Sequence, residues 1–325
     1  MIRAMNNEKV KPEILIADQW DDYALLDSGN LLKLERFGPY SFVRPEAQAM
    51  WEPRLDKSRW KADGSFIVSQ AGRRDYSSDG SDAGDNHGND FNSGGWKLRN
   101  GLPADWEVDY QSLRFRARPT PFRHLGFFPE QACHWDWCAA KIRTANPSGS
   151  PDKRPHILNL FGYSGIASLH AAAAGAEVTH VDASKRAITY AFENRDTAGL
   201  QDAPIRFITD DAMRFVKREA RRGRRYDGII MDPPKYGRGP KGEIWRIERD
   251  LVPLMVACRD LLSETPLLML LTIYAIRASS QAAHYAMREV MKSGHVTSGE
   301  LAVAEAQANP RVISQANYAR WQLAS

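Results

Sequence analysis

The sequence predicts an α/β fold built on a Rossmann-like, doubly wound and mostly parallel sheet, with a smaller mixed or β region in front of it. Short apolar strand segments alternate with helical segments from about residue 155 onward. This alternation is typical of parallel sheets that carry helices on both faces. Because a chain of 325 residues can form two units, we expect residues 1–120 to form the smaller one and residues 121–325 the larger one.

The first 120 residues contain short strand candidates separated by turns. Residues 23–26 and 31–34 flank the turn-forming segment 27–30, and further strands are predicted at 66–68 and 113–116. The segment 75–95 is rich in Asp, Gly, Ser and Asn, which predicts a flexible, solvated loop. Its acidic spacing is only faintly similar to a calcium loop, because the terminal Glu of an EF-hand is missing.

The larger region shows a regular succession of elements. A helix is predicted over 166–174 with Gly175 as its C-cap. Ser184 can cap the next helix, which should end before Gly199. Strands are predicted at 156–160, 178–181, 205–208, 228–231 and 267–272, followed by two closing strands around Gly299 and Asn317.

Composition limits the class of protein. No apolar run approaches the ~20 residues that a membrane span needs, so we expect no membrane association. Three cysteines cannot build a disulfide framework, which predicts a cytoplasmic location. Cys133, His134 and Cys138 offer three metal ligands at an unusual spacing. Reduced thiols on a helix beside the core are the preferred interpretation, and we expect no metal site.

A glycine turn and an acidic residue predict a nucleoside-containing cofactor. In a doubly wound sheet, ligands bind at the carboxyl ends of the strands. Gly162 and Gly165 follow the first strand of the larger region, and Asp182 ends the next strand, where a carboxylate can accept both hydroxyl hydrogens of a ribose. This pair suits a nicotinamide cofactor and S-adenosylmethionine equally.

Three further features favour S-adenosylmethionine. The turn lacks the G-x-G-x-x-G pattern that serves a pyrophosphate. Asp210-Asp211-Ala212 ends the third strand, where a carboxylate can accept a hydrogen bond from an adenine amino group, and the fourth strand ends in Asp232-Pro233-Pro234. The predicted cofactor-binding residues are Asn159, Phe161, Gly162, Tyr163, Ser164, Gly165, Asp182, Ala183, Ser184, Asp210, Asp211 and Ala212.

The segment Asp232-Pro233-Pro234-Lys235-Tyr236 is the predicted catalytic loop. Two prolines fix φ and remove two backbone donors, which leaves carbonyls available beside the carboxylate. Such an acceptor array can hold an N–H hydrogen of the substrate and orient the nitrogen lone pair, and positioning is the main task because a sulfonium is already reactive. Tyr236 can stack on a planar base and Lys235 can contact a phosphate. A merely stiff loop is the alternative, weakened by the Asp at the strand end.

These motifs resemble the class I S-adenosylmethionine-dependent methyltransferases related to the bacterial large-subunit (23S) ribosomal RNA cytosine-5 and guanine-7 methyltransferases. The resemblance covers about residues 125–280 and implies a cytoplasmic enzyme of ribosomal RNA processing. In such enzymes the segment matching 125–131 encloses the methionine end of the cofactor, which makes Gln131 a further cofactor-binding candidate. A core-facing helix carrying Trp135 and Trp137 is an equally favoured interpretation of residues 130–143.

Two departures from this family bear on the chemistry. The beginning of the chain does not resemble the small RNA-binding module that opens some relatives. The cytosine-5 branch has Thr-Phe-Ser-Cys after the fifth strand, whereas this chain has Thr272-Ile273-Tyr274-Ala275. Attack through carbon-5 needs a cysteine thiolate, and an alanine cannot supply one. A nitrogen target needs no such nucleophile and agrees with Asp-Pro-Pro.

Basic residues are concentrated around the predicted catalytic loop. Residues 212–249 carry 12 basic and 5 acidic side chains, in a chain of net charge +4. The dense run 217–225 should lie at the end of a helix, on the far side of the sheet from the cofactor, as a solvated helix end. The candidates for gripping RNA phosphates lie in a glycine-containing loop that we expect to be mobile: Lys235, Arg238, Lys241, Arg246 and, beyond them, Arg249.

Together these features predict an S-adenosylmethionine-dependent methyltransferase that acts on a base nitrogen in RNA, with ribosomal RNA as the first choice. One alternative is a methyltransferase for a small-molecule or protein amine, which would share the cofactor site. Another is a cofactor-binding module without turnover. The sequence leaves the oligomeric state open, a homodimer included.

Overall fold

The structure, a computed structural model, describes residues 10–68, 94–274 and 278–323. Residues 75–93 of the predicted loop lie outside these ranges, whereas residues 94 and 95 already belong to a strand, so the predicted loop is two residues too long. Ala275 also lies outside the described residues. No helix within the described ranges combines the length and the apolar character that a bilayer span requires.

The N-terminal part is rich in strands. Its first predicted turn is displaced, because the strand runs on through Asp27 and Ser28 and the chain reverses at Asn30 and Leu31, which have φ of 52° and 63°. The strands are β1 (Glu13–Ile16), β2 (Tyr23–Gly29), β3 (Leu32–Phe37), β4 (Tyr40–Pro45), β5 (Gly64–Val68), β6 (Gly94–Leu98), β7 (Trp106–Tyr110) and β8 (Leu113–Ala117).

The remainder alternates strands and helices. Its elements are α1 (Ala132–Ala145), β9 (His156–Leu160), α2 (Ile166–Ala173), β10 (Glu177–Asp182), α3 (Lys185–Thr197), β11 (Ile205–Thr209), α4 (Ala212–Arg221), β12 (Gly228–Met231), β13 (Tyr236–Arg238), β14 (Ile244–Arg246), α5 (Ile247–Arg259), β15 (Leu268–Ile273), α6 (Ser280–Val290), β16 (His295–Ala304) and β17 (Val312–Gln322).

The central sheet has the strand order β1-β16-β17-β15-β12-β9-β10-β11. β17 runs antiparallel to both of its neighbours, and the other pairs are parallel. Successive strands are added on one side of β9 up to β11 and on its other side from β12 onward. The boundary between β9 and β12 is therefore the switch point where a doubly wound sheet opens a ligand crevice. The doubly wound, mostly parallel sheet predicted from the sequence is therefore confirmed.

The N-terminal strands form a five-stranded sheet, β2-β3-β4-β5-β6, and the β7–β8 hairpin. β1 instead pairs in parallel with β16 at the edge of the central sheet, although it precedes residue 120. A division of the chain near residue 120 stays a prediction.

An aromatic core joins the N-terminal strands to the segment that precedes α1. The ring of Trp20 stacks on Phe127 with 5.6 Å between centroids, and its Nε1 donates a hydrogen bond to the Pro129 carbonyl at 3.2 Å. Trp135 of α1 is buried in the same cluster. Large aromatic side chains stabilise such a junction by the apolar area that they bury. The junction fixes the turn Pro129–Gln131, which reaches the site described next.

Candidate active site

The carboxyl ends of β9, β10, β11 and β12 open onto a cavity of 1310 Å³. A neighbouring cavity of 60 Å³ shares Phe161, Tyr163 and Asp232 with it. The predicted residues that line the large cavity are Phe161, Tyr163, Asp182, Ala183, Ser184, Asp210, Asp211, Ala212, Asp232, Pro233, Pro234, Lys235, Tyr236, Arg238, Arg246 and Arg249. The small one adds Gln131, Asn159, Gly162 and Ser164. Gly165 and Lys241 line neither cavity.

The turn after β9 is shaped by buried packing beneath it. A Cβ atom at Gly162 would lie 2.3 Å from Cε1 of the fully buried His180 ring. The Asn159 amide donates to Ser168 Oγ at 2.9 Å, and Ser168 Oγ lies 3.0 Å from His180 Nδ1. Burial lowers the pKa of His180 to about 3, so the ring is neutral. Gly162 is therefore required by His180, not only by a ligand, while Gly165 supplies the positive φ of 86° that starts α2.

Asp182 joins this turn to the next one. Its Oδ2 accepts a hydrogen bond from the Tyr163 amide at 3.0 Å, and its Oδ1 accepts one from the Ser184 amide at 2.8 Å. Ser184 in turn caps α3, as predicted, by accepting from the Ala187 amide at 3.2 Å. Burial raises the pKa of Asp182. Each carboxylate oxygen keeps a further lone pair that can accept a ligand hydroxyl.

Asp210 is already engaged within the protein. The Arg214 Nε donates to its Oδ1 at 2.6 Å, and Arg218 contacts its Oδ2. Burial acts to raise the pKa of Asp210, but these two arginines outweigh it and lower the pKa. Asp211 caps α4 through Oδ1, and its Oδ2 accepts no hydrogen bond from the described residues. Asp211 is thus the freer of the two predicted adenine acceptors.

The basic run 217–225 lies at the C-terminal end of α4, as predicted. The prediction is wrong for Arg218, whose partly exposed side chain reaches back along the helix to Asp210 at the wall of the large cavity. Arg222 forms an ion pair with Glu219 at 3.2 Å. The geometry of α4 explains the exception, because a long helical side chain points back toward the N-terminus of its helix, where Asp210 precedes the N-cap Asp211.

Asp232 stands at the carboxyl end of β12, half-buried in the wall of both cavities. The Gln131 amide donates to its Oδ2 at 3.1 Å. Burial and the nearby Glu130 carboxylate raise the pKa of Asp232 to about 8. The core-facing helix is confirmed by Trp135, which packs in the core, whereas Gln131 reaches the cavity wall and its binding of a cofactor stays a prediction.

The prolines do not leave both carbonyls available. The Pro234 carbonyl accepts a hydrogen bond from Trp245 Nε1 at 2.7 Å, so the expectation that the prolines leave their carbonyls available is wrong at Pro234. Trp245 is buried and contacts Phe161 with ring centroids 5.0 Å apart. The tryptophan thereby ties the predicted catalytic loop to the turn after β9.

The segment beyond Tyr236 is an antiparallel hairpin, β13–β14, not the mobile loop expected from its glycines. Residues directly opposite each other, and residues two apart, share one face of such a pair. Tyr236, Arg238 and Arg246 therefore lie on the face opposite to the buried Trp245, and all three are exposed. Arg249 is held by Asp250 at 2.7 Å and by the Ile244 carbonyl at 2.6 Å.

Sequence reasoning missed the wall that the N-terminal part and the junction contribute. An aromatic series Phe122, His124, Phe128 and Tyr274 lines the large cavity, with successive ring centroids 5.9, 5.0 and 5.3 Å apart. Lys33, Arg44, Glu46, Arg123 and Glu130 line it as well. Phe128 and Glu130 belong to the segment 125–131, which the resemblance had placed at the methionine end of the cofactor, but no role was predicted for either side chain.

Comparison with known proteins decides the family. The family described as "Conserved hypothetical protein 95" matches residues 140–244. The crystal structure of the SAM-dependent methyltransferase from Agrobacterium tumefaciens matches this chain with a TM-score of 0.85 and 44% identity, over 96% of this chain and 93% of that one. The chain is an S-adenosylmethionine-dependent methyltransferase.

Other proteins resemble this chain at lower identity or over only part of its length. SMU.776, assigned as a methyltransferase and complexed with SAH, shares the fold at a TM-score of 0.68 and 15% identity, over 94% of this chain and 76% of that one. The ribosomal RNA large subunit methyltransferase K/L of Shewanella baltica is 38% identical over 119 residues, which is 36% of this chain and 16% of that protein. This chain thus spans about a sixth of the length of that curated relative. The predicted resemblance, enzyme class and cofactor are confirmed.

Proposed function

We propose that the methyltransferase transfers a methyl group to a nitrogen atom of a base in RNA, with ribosomal RNA as the first candidate. One observation carries the proposal. Asp232 shares its cavity with an exposed aromatic residue and two exposed arginines of the β13–β14 hairpin, Tyr236, Arg238 and Arg246. A carboxylate can accept an N–H hydrogen, an aromatic ring can stack on a base, and arginines can bind phosphates.

The residues around the two cavities fit the cofactor. Asp182 would accept the ribose hydroxyls, and Asp211 would accept the adenine amino group. The small cavity, walled by Gln131 and Asn159 among others, would enclose the methionine end beside Asp232. When bound there, the cofactor supplies an electrophilic methyl group on a positively charged sulfur. Gln131 holds Asp232 in place, and Asp232 orients the acceptor nitrogen, so the protein contributes chiefly by positioning.

The cysteines support nitrogen over carbon-5 as the acceptor. All three lie within the described residues, and none lines either cavity. Burial raises the pKa of Cys133 to about 11 and that of Cys138 to about 12, and it also raises the pKa of Cys258. A covalent adduct at a base requires a thiolate within reach, and a nitrogen acceptor does not.

The aromatic series favours a planar acceptor. Phe122 is 55% exposed although it lines the cavity, and the Thr120–His124 turn that carries it is held by Trp96 Nε1, which donates to the Thr120 carbonyl at 2.7 Å. An exposed ring on a turn that is held by hydrogen bonds, in the same cavity as the Asp232 carboxylate, is suited to stacking on a base that has been turned out of an RNA strand. The curated K/L relatives are named for methylation of large-subunit ribosomal RNA, which agrees with this substrate.

A methyl-transfer assay tests the proposal. Tritiated S-adenosylmethionine is incubated with the enzyme and total RNA from a strain that lacks the gene, and the RNA is digested to nucleosides. We expect label in one nucleoside that carries the methyl group on nitrogen. Label confined to protein or to small metabolites would assign the enzyme to an amine substrate instead, and no label in any fraction would favour a cofactor-binding module.

The hairpin arginines should contribute electrostatically to RNA binding. In the double variant Arg238→Ala/Arg246→Ala we expect weaker RNA binding and a slope of log K against log salt that is smaller by about 1.4, because each phosphate contact on a single strand contributes about 0.7. The slope is measured by fluorescence anisotropy with labelled RNA between low and moderate salt. Arg225→Ala, an exposed change at the far end of α4, is the control. An equal slope in the wild type and the double variant would contradict phosphate binding by these two arginines. The variant Lys241→Ala tests whether the turn between β13 and β14 contributes as well.

A further inference from the structure

Glu130 is a deeply buried carboxylate without a cation partner. Its side chain is 4% exposed and lines the large cavity. It accepts a hydrogen bond from the Tyr274 hydroxyl at 2.9 Å, and it forms no ion pair with any of the described residues. An uncompensated charge at such a depth is costly. The fold therefore maintains a destabilising group at the wall of the active site.

The position of Glu130 is fixed from two sides. The carbonyl of the preceding residue, Pro129, accepts the Trp20 hydrogen bond, and the ring of Phe128 lies 5.3 Å from that of Tyr274. The next residue, Gln131, donates to Asp232. The turn Pro129–Gln131 thus carries the Glu130 carboxylate and, through Gln131, holds the Asp232 carboxylate.

The charged groups around Glu130 do not neutralise it. Lys33 contacts Glu46 at 3.2 Å and Gln315 at 2.7 Å, and Arg44 is paired with Glu35 at 2.7 Å. Tyr274 and Tyr23 also face this region, and burial raises the pKa of both phenols, so they remain neutral. Lys33 and Arg44, the cations that act on Glu130, are thus committed to other acids. Arg123 lines the same cavity and forms no ion pair with Glu130, and Asp232 is a further titratable neighbour. Burial raises the pKa of Glu130 as well.

We propose that Glu130 and Asp232, which line one cavity and are linked through the turn that carries Gln131, act as a pair of electrostatically coupled carboxyl groups, in which Glu130 sets the basicity with which Asp232 takes the proton released from the acceptor nitrogen. The inference rests on the proposed function. As the nitrogen–methyl bond forms, the methyl–sulfur bond breaks and its electron pair stays on sulfur. One N–H bond of the acceptor breaks, and its proton moves to Asp232, which is converted from carboxylate to carboxyl. The proton then leaves to solvent through the open cavity. Glu130 is a positioning residue, since it acts through Asp232.

A direct titration tests the pair in the substrate-free enzyme. The Asp232 carboxyl carbon is followed by ¹³C NMR of aspartate-labelled protein and assigned by its absence in Asp232→Asn. We expect a midpoint near 8 in the wild type and a midpoint lower by about one pH unit in Glu130→Gln, because a like charge has been removed. The acidic limb of the pH–rate profile for methyl transfer should move in the same direction. Glu130→Asp keeps the charge and should keep the high midpoint.

Two comparisons make the outcome decisive. Glu248→Gln removes an exposed carboxylate that lines the same cavity, and we expect the Asp232 midpoint to stay where it is. If Glu130→Gln does not fold, the reciprocal measurement applies: in Asp232→Asn, the titration of Glu130 should move to lower pH. An Asp232 midpoint that is equal in Glu130→Gln and the wild type, or a Glu130 titration unaffected by Asp232→Asn, overturns the pair. Normal coupling in an enzyme that labels no RNA would overturn the proposed substrate alone.

Discussion

Asp232→Asn is expected to reduce methyl transfer by about 10²- to 10⁴-fold while making the protein more stable above neutral pH. The folded-state pKa of Asp232 is raised to about 8, far above the value of about 3.9 in an unfolded chain. Between these values the folded protein binds more protons than the unfolded one, so the free energy of unfolding falls as pH rises. Asparagine carries no charge, so the variant does not lose stability in this way. Its advantage over the wild type in free energy of unfolding therefore grows with pH and levels off above about pH 8, on the order of 1–3 kcal/mol.

The test combines calorimetry with turnover. Melting temperatures of the variant and the wild type are compared at pH 6 and pH 9, where the difference should be larger at pH 9. Cofactor binding measured by titration calorimetry should persist, which separates lost chemistry from lost binding. Asp227→Asn is a matched control at the other end of β12: Asp227 accepts from the His156 amide at 2.9 Å and from Ser263 Oγ at 2.6 Å, so its replacement should lower stability and retain turnover. A variant at Asp232 that melts lower at both pH values, or that still transfers methyl groups, contradicts the assignment.

The sequence predicted the central sheet well because buried parallel strands appear as short apolar runs. The predicted strands 156–160 and 228–231 match β9 and β12 residue for residue. In the N-terminal part, Asp27 and Ser28 suggested a turn, yet they lie inside β2. Asp27 is fully buried because it accepts hydrogen bonds from Trp60 and pairs with Arg311. Partners as distant in sequence as Arg311 cannot be identified from local residue preference.

Prediction of the site residues met the same limit, since contacts between residues distant in sequence could not be identified. Motifs at successive strand ends can be located because the topology brings those ends together, whereas Phe122, Glu130 and Tyr274 reach the cavity through packing between separate elements. Some misses were avoidable. The spacing of Asp210 and Arg214 is that of a helical i, i+4 ion pair. Trp245 is a large apolar residue within a polar segment, which indicates that the segment packs against the core at this position.

Asp182→Ala is expected to weaken cofactor binding more than any other single change at the strand ends. The carboxylate holds the amides of Tyr163 and Ser184, and it would accept two ribose hydroxyls. A hydrogen bond to a charged group contributes about 1.5–3 kcal/mol, so the loss of the ribose contacts alone predicts a Kd for S-adenosylmethionine that rises by about 10²-fold or more. Release of the two amides loosens the turns on both sides of the cofactor and adds to the effect.

The pH dependence of binding distinguishes this contact from a general loss of structure. Because burial raises the pKa of Asp182, the wild-type affinity should fall as pH is lowered through that pKa, when the protonated oxygen no longer accepts a ribose hydroxyl. The alanine variant should lose this dependence. Isothermal titration calorimetry over a range of pH, with Asp202→Ala as an exposed aspartate control, measures both quantities. If Asp182→Ala binds S-adenosylmethionine as tightly as the wild type does, the ribose is held elsewhere. The assignment of the acidic residue at the end of β10 to the ribose would then be wrong.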